Sequence, residues 1–298
     1  MTKLIVADAG ANRAPGGGGE SSPAAGRPAG YGRLMRPTRA VLLDIDGVLT
    51  VSWRPVPGAI EALARLRADG YAVALVTNTT SRDRAWMTAT LARAGFGVEA
   101  AEIFTAPAIT AAYLARNHPG ARCALLSDGD ALSDLAGVRI VAEHEPAPDV
   151  VILGGAGPDF SYAALNRVFG YLLDGARLVA MGRNLYYLTE SGLRLDTGTF
   201  LAGLEQAAGV RAELTGKPAA AFFATALAAL GAEPSAAVMV GDDIEADVLG
   251  AQRHGLTGVL VRTGKYRPEA LRDAPGEPDH VIDSVADLPA LLERLGRL

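Results

Sequence analysis

The chain has 298 residues, of which 49% are hydrophobic, and a formal net charge of −5. Those values describe a globular protein with room for two domains or one elaborated domain, and without a basic block interleaved with aromatics they exclude a nucleic-acid binder. No apolar run reaches the roughly 18 residues of a membrane span, Met1 to Gly10 lack the pattern of a secretory signal, and a single cysteine, Cys123, excludes a disulfide framework within the chain. A cytoplasmic protein with no membrane partner is expected.

Along the chain, Ala11 to Arg33 is rich in Gly, Pro, Ser and Ala without apolar periodicity, so residues 1–38 are expected to form a disordered tail. Met35 stands just before the first strand and is a candidate initiator. From Thr38 onward, short β-rich runs alternate with helical patterns. Expected strands are Ala40 to Leu43, Ala72 to Val76, Ala124 to Ser127, Val150 to Leu153, Leu178 to Met181, Ala237 to Val240 and Gly258 to Val261. Expected helices include Gly58 to Asp69, Ser81 to Ala94, Tyr162 to Leu173, Phe200 to Ala208 and Pro218 to Leu230, with a terminal helix over Ala286 to Leu298. This alternation predicts a doubly wound α/β fold with a parallel sheet.

Four strand ends and loops carry candidate chemistry. Val41 to Leu43 lead into Asp44-Ile45-Asp46-Gly47, which puts two carboxylates at the carboxyl edge of a sheet, where α/β proteins place ligands; an acidic turn is the alternative. Thr77-Asn78-Thr79-Thr80-Ser81 offers donors at a helix start and suits an anion, or serves only as a helix cap. Lys217 stands before Pro218, expected at the first position of a helix, and is one of three lysines in the chain with Lys3 and Lys265. Gly241-Asp242-Asp243 runs on to Asp247, and three acids so close repel one another unless a cation neutralises them. Cys123, inside an apolar run, reads as a small buried hydrophobe. His118, His144, His254 and His280 have no metal-ligand spacing and read as structural or surface residues.

Asp44-Ile45-Asp46-Gly47-Val48-Leu49, Val76-Thr77-Asn78, Gly216-Lys217-Pro218 and Gly241-Asp242-Asp243 occur in the order and settings of the four motifs of the haloacid dehalogenase superfamily of phosphatases, which this chain resembles over about 38 to 270. Glu102 to Thr105, Phe222-Phe223 and Arg262-Thr263-Gly264-Lys265-Tyr266 add to the likeness, within the subfamily (IIA) that carries a large α/β cap of C2 type between the second and third motifs. The resemblance implies a Rossmann-like core in two parts, 39–118 and 212–298, with a cap over 119–211.

It further implies a Mg²⁺-dependent phosphatase acting on a small phosphorylated substrate through an aspartyl-phosphate. Asp44 would be the nucleophile and Asp46 the general acid and base. Thr77, Asn78 and Lys217 would hold the phosphoryl group. Asp44, Asp242 and the main-chain carbonyl of Asp46 would bind the metal, with Asp243 and Asp247 behind them orienting ligands or pairing with Lys217. Some relatives carry serine in place of Asp46, a poorer acid and base. In the cap, the loop Met181 to Tyr187 is the candidate contact for the leaving group, through Arg183 and Asn184; an ordinary surface loop is the favoured alternative. Pro55 to Gly58 would belong to a mobile turn beside the site. The resemblance leaves the assembly open, with a cap-mediated homodimer as one alternative.

Overall fold

The computed structural model describes residues 39–142, 147–189 and 192–296, so the expected tail over 1–38 and His144 lie outside the described residues. Strand β1 (Ala40–Asp44) is buried at every position. A short hairpin follows, β2 (Thr50–Val51) and β3 (Arg54–Pro55), then α1 (Ala59–Ala68), β4 (Ala72–Thr77), α2 (Arg84–Arg93), β5 (Ile103–Thr105) and α3 (Ala106–Asn117). The chain next builds β6 (Arg122–Leu126), β7 (Arg139–Ile140), β8 (Val150–Leu153), α4 (Tyr162–Leu173), β9 (Arg177–Ala180), the hairpin β10 (Tyr186–Thr189) and β11 (Gly192–Leu195), α5 (Thr197–Ala208) and β12 (Glu213–Leu214). It finishes with α6 (Ala220–Leu230), β13 (Ala237–Gly241), α7 (Gly250–Arg253), β14 (Thr257–Val261), α8 (Pro268–Asp273), β15 (His280–Ile282) and α9 (Leu288–Leu295).

Two parallel sheets result, which bears out the α/β expectation. One has six strands in the order β15-β14-β13-β1-β4-β5; the other, built from the inserted stretch, has five in the order β12-β9-β8-β6-β7. In the six-stranded sheet the chain moves outward from β1 through β4 and β5, then returns to the other side of β1 for β13 to β15. Strand β1 is therefore flanked by connections leaving in opposite directions, and a crevice opens at the carboxyl ends of β1, β4 and β13.

Period-two alternation sorts the side chains of these strands onto two faces. Val41, Leu43, Val73, Leu75, Val238 and Val240 pack with α1, α2 and α9 through Leu63, Leu66, Met87, Leu91, Leu288 and Leu292. Leu42, Ala74, Val76 and Met239 pack on the opposite face with Phe222, Phe223, Ala226 and Leu227 of α6. In the inserted sheet, Val151, Leu153 and Leu178 face Val168, Leu172, Leu201 and Leu204 of α4 and α5. Cys123 is buried with Val150, Ile152 and Val179, and burial, helped by Asp149, pushes its thiol up to about 11, as suits a small apolar residue rather than a nucleophile.

Local chemistry moves several expected boundaries. Helix α2 starts at Arg84, not Ser81, because the Asp83 side chain accepts the N–H of Trp86 and caps it. The helix expected from Pro218 starts at Ala220, with extended Ala219 as its cap residue, and the Lys217–Pro218 peptide is cis. Helix α5 starts at Thr197, before the expected Phe200, because Asp196 caps it. Tyr186 and Tyr187, expected in a loop, lie in a strand that pairs antiparallel with β11. Among the described residues no helix is long and apolar enough to cross a membrane.

Candidate active site

Asp44 ends β1 only 7% exposed, next to Lys217, itself 5% exposed. The Lys217 ammonium lies 2.7 Å from Asp44 Oδ1 and 2.7 Å from Asp247 Oδ1. Burial alone would depress this lysine, but the charges of Asp247 and Asp44 outweigh it and raise its pKa well above the ordinary value. Lys217 stays charged and tethers an acid at the end of β1 to one in the helical turn that follows β13.

The loop after β4 holds Lys217 in place. Asn78 Oδ1 accepts the Lys217 N–H at 2.8 Å, and Asn78 Nδ2 donates to the Lys217 carbonyl at 2.9 Å. Asn78, expected to hold a phosphoryl oxygen, engages the lysine main chain with both ends of its side-chain amide and so fixes the position of the cation. Thr77 is buried, donates its hydroxyl to Thr79 Oγ1 at 2.9 Å and accepts the Thr79 N–H at 3.1 Å.

The acids after β13 divide their work. Asp243 was expected to orient ligands or pair with Lys217. Its carboxylate instead accepts the N–H groups of Glu245 and Ala246, capping a π-helical turn over Ile244–Leu249, and it is Asp247 within that turn that reaches Lys217. Single π-turns are frequent at functional sites.

Asp242, 3% exposed, accepts the Lys265 N–H at 2.6 Å on Oδ2, whereas its Oδ1 is buried without a hydrogen-bond partner. Asp247 Oδ1 has none either, since its 2.7 Å approach to Lys217 Nζ is not aligned for one. Burial first, and then the neighbouring negative charges, push Asp242 and Asp247 above the usual carboxylate range.

Oxygens of Asp44, Asp242 and Asp247 lie within 4.8 Å of one another. Three buried carboxylates, an orphaned oxygen and one buried ammonium leave a deficit of positive charge. A hard divalent cation with oxygen ligands fits that set. Asp247, expected behind the ligands, belongs to this cluster, whereas Asp46, expected to reach the metal through its main-chain carbonyl, contributes no side-chain oxygen to it. Asp46 is exposed, and its Oδ1 accepts the Ser52 N–H at 2.9 Å. The two acids of this motif thus occupy different surroundings, because β1 ends at Asp44 and Asp46 lies in the turn that follows, where strand alternation no longer sets the direction of the side chain.

The loop after β14 also serves the site, and no role was expected for it. Thr263 Oγ1 donates to the Gly47 carbonyl, and Gly264, at φ +61°, packs against Asp242 and Gly47 so closely that any side chain would collide with the Asp242 carboxylate. Its sequence signal was glycine between Thr263 and Lys265 just past a buried strand. Burial opposes the charge on Lys265, but Asp242 and Asp44 raise its pKa.

The candidates from the insert do not join this cluster. Arg183 gives two hydrogen bonds to Glu205, at 2.8 and 2.7 Å, and Glu205 is buried and also accepts the Ala212 N–H. Arg183 was expected to meet the leaving group; it is the counter-ion of a buried glutamate. The exposed Asn184 receives the Gly198 N–H on its main-chain carbonyl at 2.9 Å. The insert also meets the core where Asp134 accepts from Arg84 Nε at 3.0 Å and Thr105 Oγ1 at 2.7 Å. His118 pairs with Glu213 at 2.7 Å, and His254 lies 3.2 Å from the Pro218 carbonyl, consistent with structural roles.

Comparison with known proteins points the same way. Residues 41–141 match a family model described as haloacid dehalogenase-like hydrolase, and 214–288 one described as HAD-hydrolase-like. Haloacid dehalogenase-like hydrolase domain-containing protein 2 of Bos taurus is 42% identical over 232 residues, covering 78% of this chain and 87% of that protein. The human phospholysine phosphohistidine inorganic pyrophosphate phosphatase is 37% identical over 268 residues, covering 88% and 97%. Among solved structures, a p-nitrophenyl phosphatase from Archaeoglobus fulgidus superposes with a TM-score of 0.80 at 26% identity, covering 86% of this chain and all of that one.

Proposed function

This chain belongs to the haloacid dehalogenase-like hydrolases, and from that premise we propose that it is a Mg²⁺-dependent phosphatase that works through an aspartyl-phosphate on Asp44. The observation that carries the reading is the cluster of buried acids around Lys217 at the carboxyl ends of β1 and β13, with an oxygen of Asp242 left unpartnered. Phosphoester hydrolysis is among the slowest uncatalysed reactions known. A site for it must neutralise the phosphoryl oxygens, present a nucleophile and protonate the leaving oxygen.

Mg²⁺, when bound, would supply charge neutralisation at the phosphoryl oxygens. Asp44 and Asp242 are the side chains proposed to hold it, with the Asp46 carbonyl, and Asp247 lies within reach. Lys217, 2.7 Å away, directs the Asp44 carboxylate, which attacks phosphorus and displaces the leaving oxygen. Lys217 and Thr77 face the oxygens of the transferred group. Asp46, outside the cation cluster, is the proposed proton carrier: it would give a proton to the departing oxygen and then take one from the water that cleaves the aspartyl-phosphate.

The substrate is proposed to be small and phosphorylated, with pyrophosphate or a P–N phosphoamino compound suggested by the name of the human relative. Sugar phosphates, phosphoglycolate and nucleoside monophosphates are the alternatives, and the insert, as a cap, would choose between them. The test is phosphate release from p-nitrophenyl phosphate and from a broad panel of phosphometabolites by the purified protein in Mg²⁺. Turnover that stops with chelator and in Asp44→Asn supports the reading. Silence across the whole panel would overturn it.

A further inference from the structure

Asp46 depends on a neighbour in an uncommon conformation. Its Oδ1 accepts the main-chain N–H of Ser52, which with Trp53 forms the turn of the β2–β3 hairpin. Among the described residues, Ser52 and Trp53 are the two non-glycine positions with positive φ, 50° and 64°. A two-residue hairpin turn needs left-handed backbone at both central positions and therefore favours Asn-Gly. Serine and tryptophan hold such backbone only where their surroundings over-determine it.

Those surroundings are aromatic. Trp53 packs against the core, and its ring meets that of Trp86 edge-on, with centroids 4.8 Å apart and planes at 86°. This arrangement puts the positive edge of one ring on the negative face of the other. Trp86 is fixed in turn: it lies in the first turn of α2, its N–H donates to Asp83 Oδ1 at 2.7 Å, and the Arg82 guanidinium stands 5.1 Å from its ring centroid. An unbroken set of contacts thus runs from α2 through two rings and a strained turn to the Asp46 carboxylate.

We propose that Trp86, acting through Trp53 and the Ser52 N–H, is a positioning residue that holds Asp46 in line for proton transfer to the leaving oxygen. The inference rests on the reading of Asp46 as the proton carrier. An exposed carboxylate would otherwise sample several rotamers, and a general acid works only within hydrogen-bond reach of the atom it protonates. Stacking against α2 makes the turn a rigid bracket for that acid.

Two substrates separate this role from a general structural one. An alkyl phosphate needs its leaving oxygen protonated, whereas p-nitrophenolate leaves with little help. Trp86→Ala is expected to lower kcat for the alkyl phosphate about tenfold or more while KM changes by less than about twofold and p-nitrophenyl phosphate loses less. Trp86→Phe, which keeps an aromatic edge, restores turnover. In an Asp46→Asn background Trp86→Ala costs nothing further.

Trp53 and Trp86 are the two tryptophans of the chain, so an exciton signal in circular dichroism, present in the native protein and lost in Trp86→Ala, reports directly on the pair. If Trp86→Ala fails to fold, Trp53→Gly removes the ring while tolerating positive φ and is expected to give the same discrimination. Unchanged alkyl phosphate turnover, an equal loss on both substrates, or a further loss in the Asp46→Asn background overturns the inference alone. An Asp46→Asn protein with normal turnover of both substrates overturns the proton-carrier reading as well.

Discussion

Among the described residues of the inserted sheet and its helices, the two buried carboxylates, Asp134 and Glu205, each have an arginine beside them: Arg84 at 3.0 Å and Arg183 at 2.7 Å. At the carboxyl edge of the six-stranded sheet, Asp44, Asp242 and Asp247 share one buried lysine, and an oxygen of Asp242 has no partner. Both regions are parallel sheets covered by helices. Burying an ion is costly unless it is paired, so the first region neutralises itself and is structural. The second keeps a deficit that a cation and a phosphoryl group can meet. The difference shows that site and scaffold are told apart here by charge balance and not by fold, burial or the number of acids.

The comparison breaks most sharply at Asp44. Asp44→Asn is expected to cut phosphatase turnover by about 10³-fold or more while the protein stays folded, since Lys217 keeps Asp247; steady-state assay and circular dichroism check both parts. Lys217→Met removes the one cation shared by the cluster. Its expected cost is about 3–5 kcal/mol of unfolding free energy at neutral pH, measured by urea titration, with activity lost as well.

Arg183→Ala tests the self-neutralised region. It leaves the Glu205 charge buried, for an expected loss of about 2 kcal/mol in stability, yet turnover of p-nitrophenyl phosphate should stay within about threefold of normal. A loss of turnover without loss of stability would return Arg183 to the leaving-group contact first expected of it.

The smallest effect is a pH dependence. Burial would raise Glu213, but hydrogen bonds from His118, Tyr113 and Arg177 hold it at about 2, below its ordinary 4.5. Its stabilisation is therefore present above pH 4.5 and is lost as pH falls from there towards 2, because the unfolded chain takes up the proton first. The slope from this one group is at most about 1.4 kcal/mol per pH unit. Thermal melts of the native protein and Glu213→Gln across that window should converge at the acid end.

Much of this was legible in the chain. Alternating strand and helix patterns gave the parallel architecture, since a strand buried on both faces reads as a continuous apolar run. Asp44, Lys217 and Asp242 could be named because acids and a lysine ended such runs or preceded a helix. Arg183 and Asn78 share one feature that local spacing does not carry: a polar side chain looks available in sequence, and only the fold shows that Glu205 or the Lys217 main chain engages it. The Trp53–Trp86 contact was invisible because the two residues lie on separate segments joined by no local pattern.

By itself, then, the sequence determined the sheet class and the residue types at its carboxyl edge, because periodicity and turn chemistry act over a few residues. The tertiary structure alone decided which acid faces which cation. Asp247 and not Asp243 reaches Lys217, Asp46 stands apart from Asp44, and Gly264 closes on Asp242. The ion pair at their centre, Lys217 with Asp44, joins positions 173 residues apart, and electrostatic energy depends on distance and burial, which no local spacing encodes.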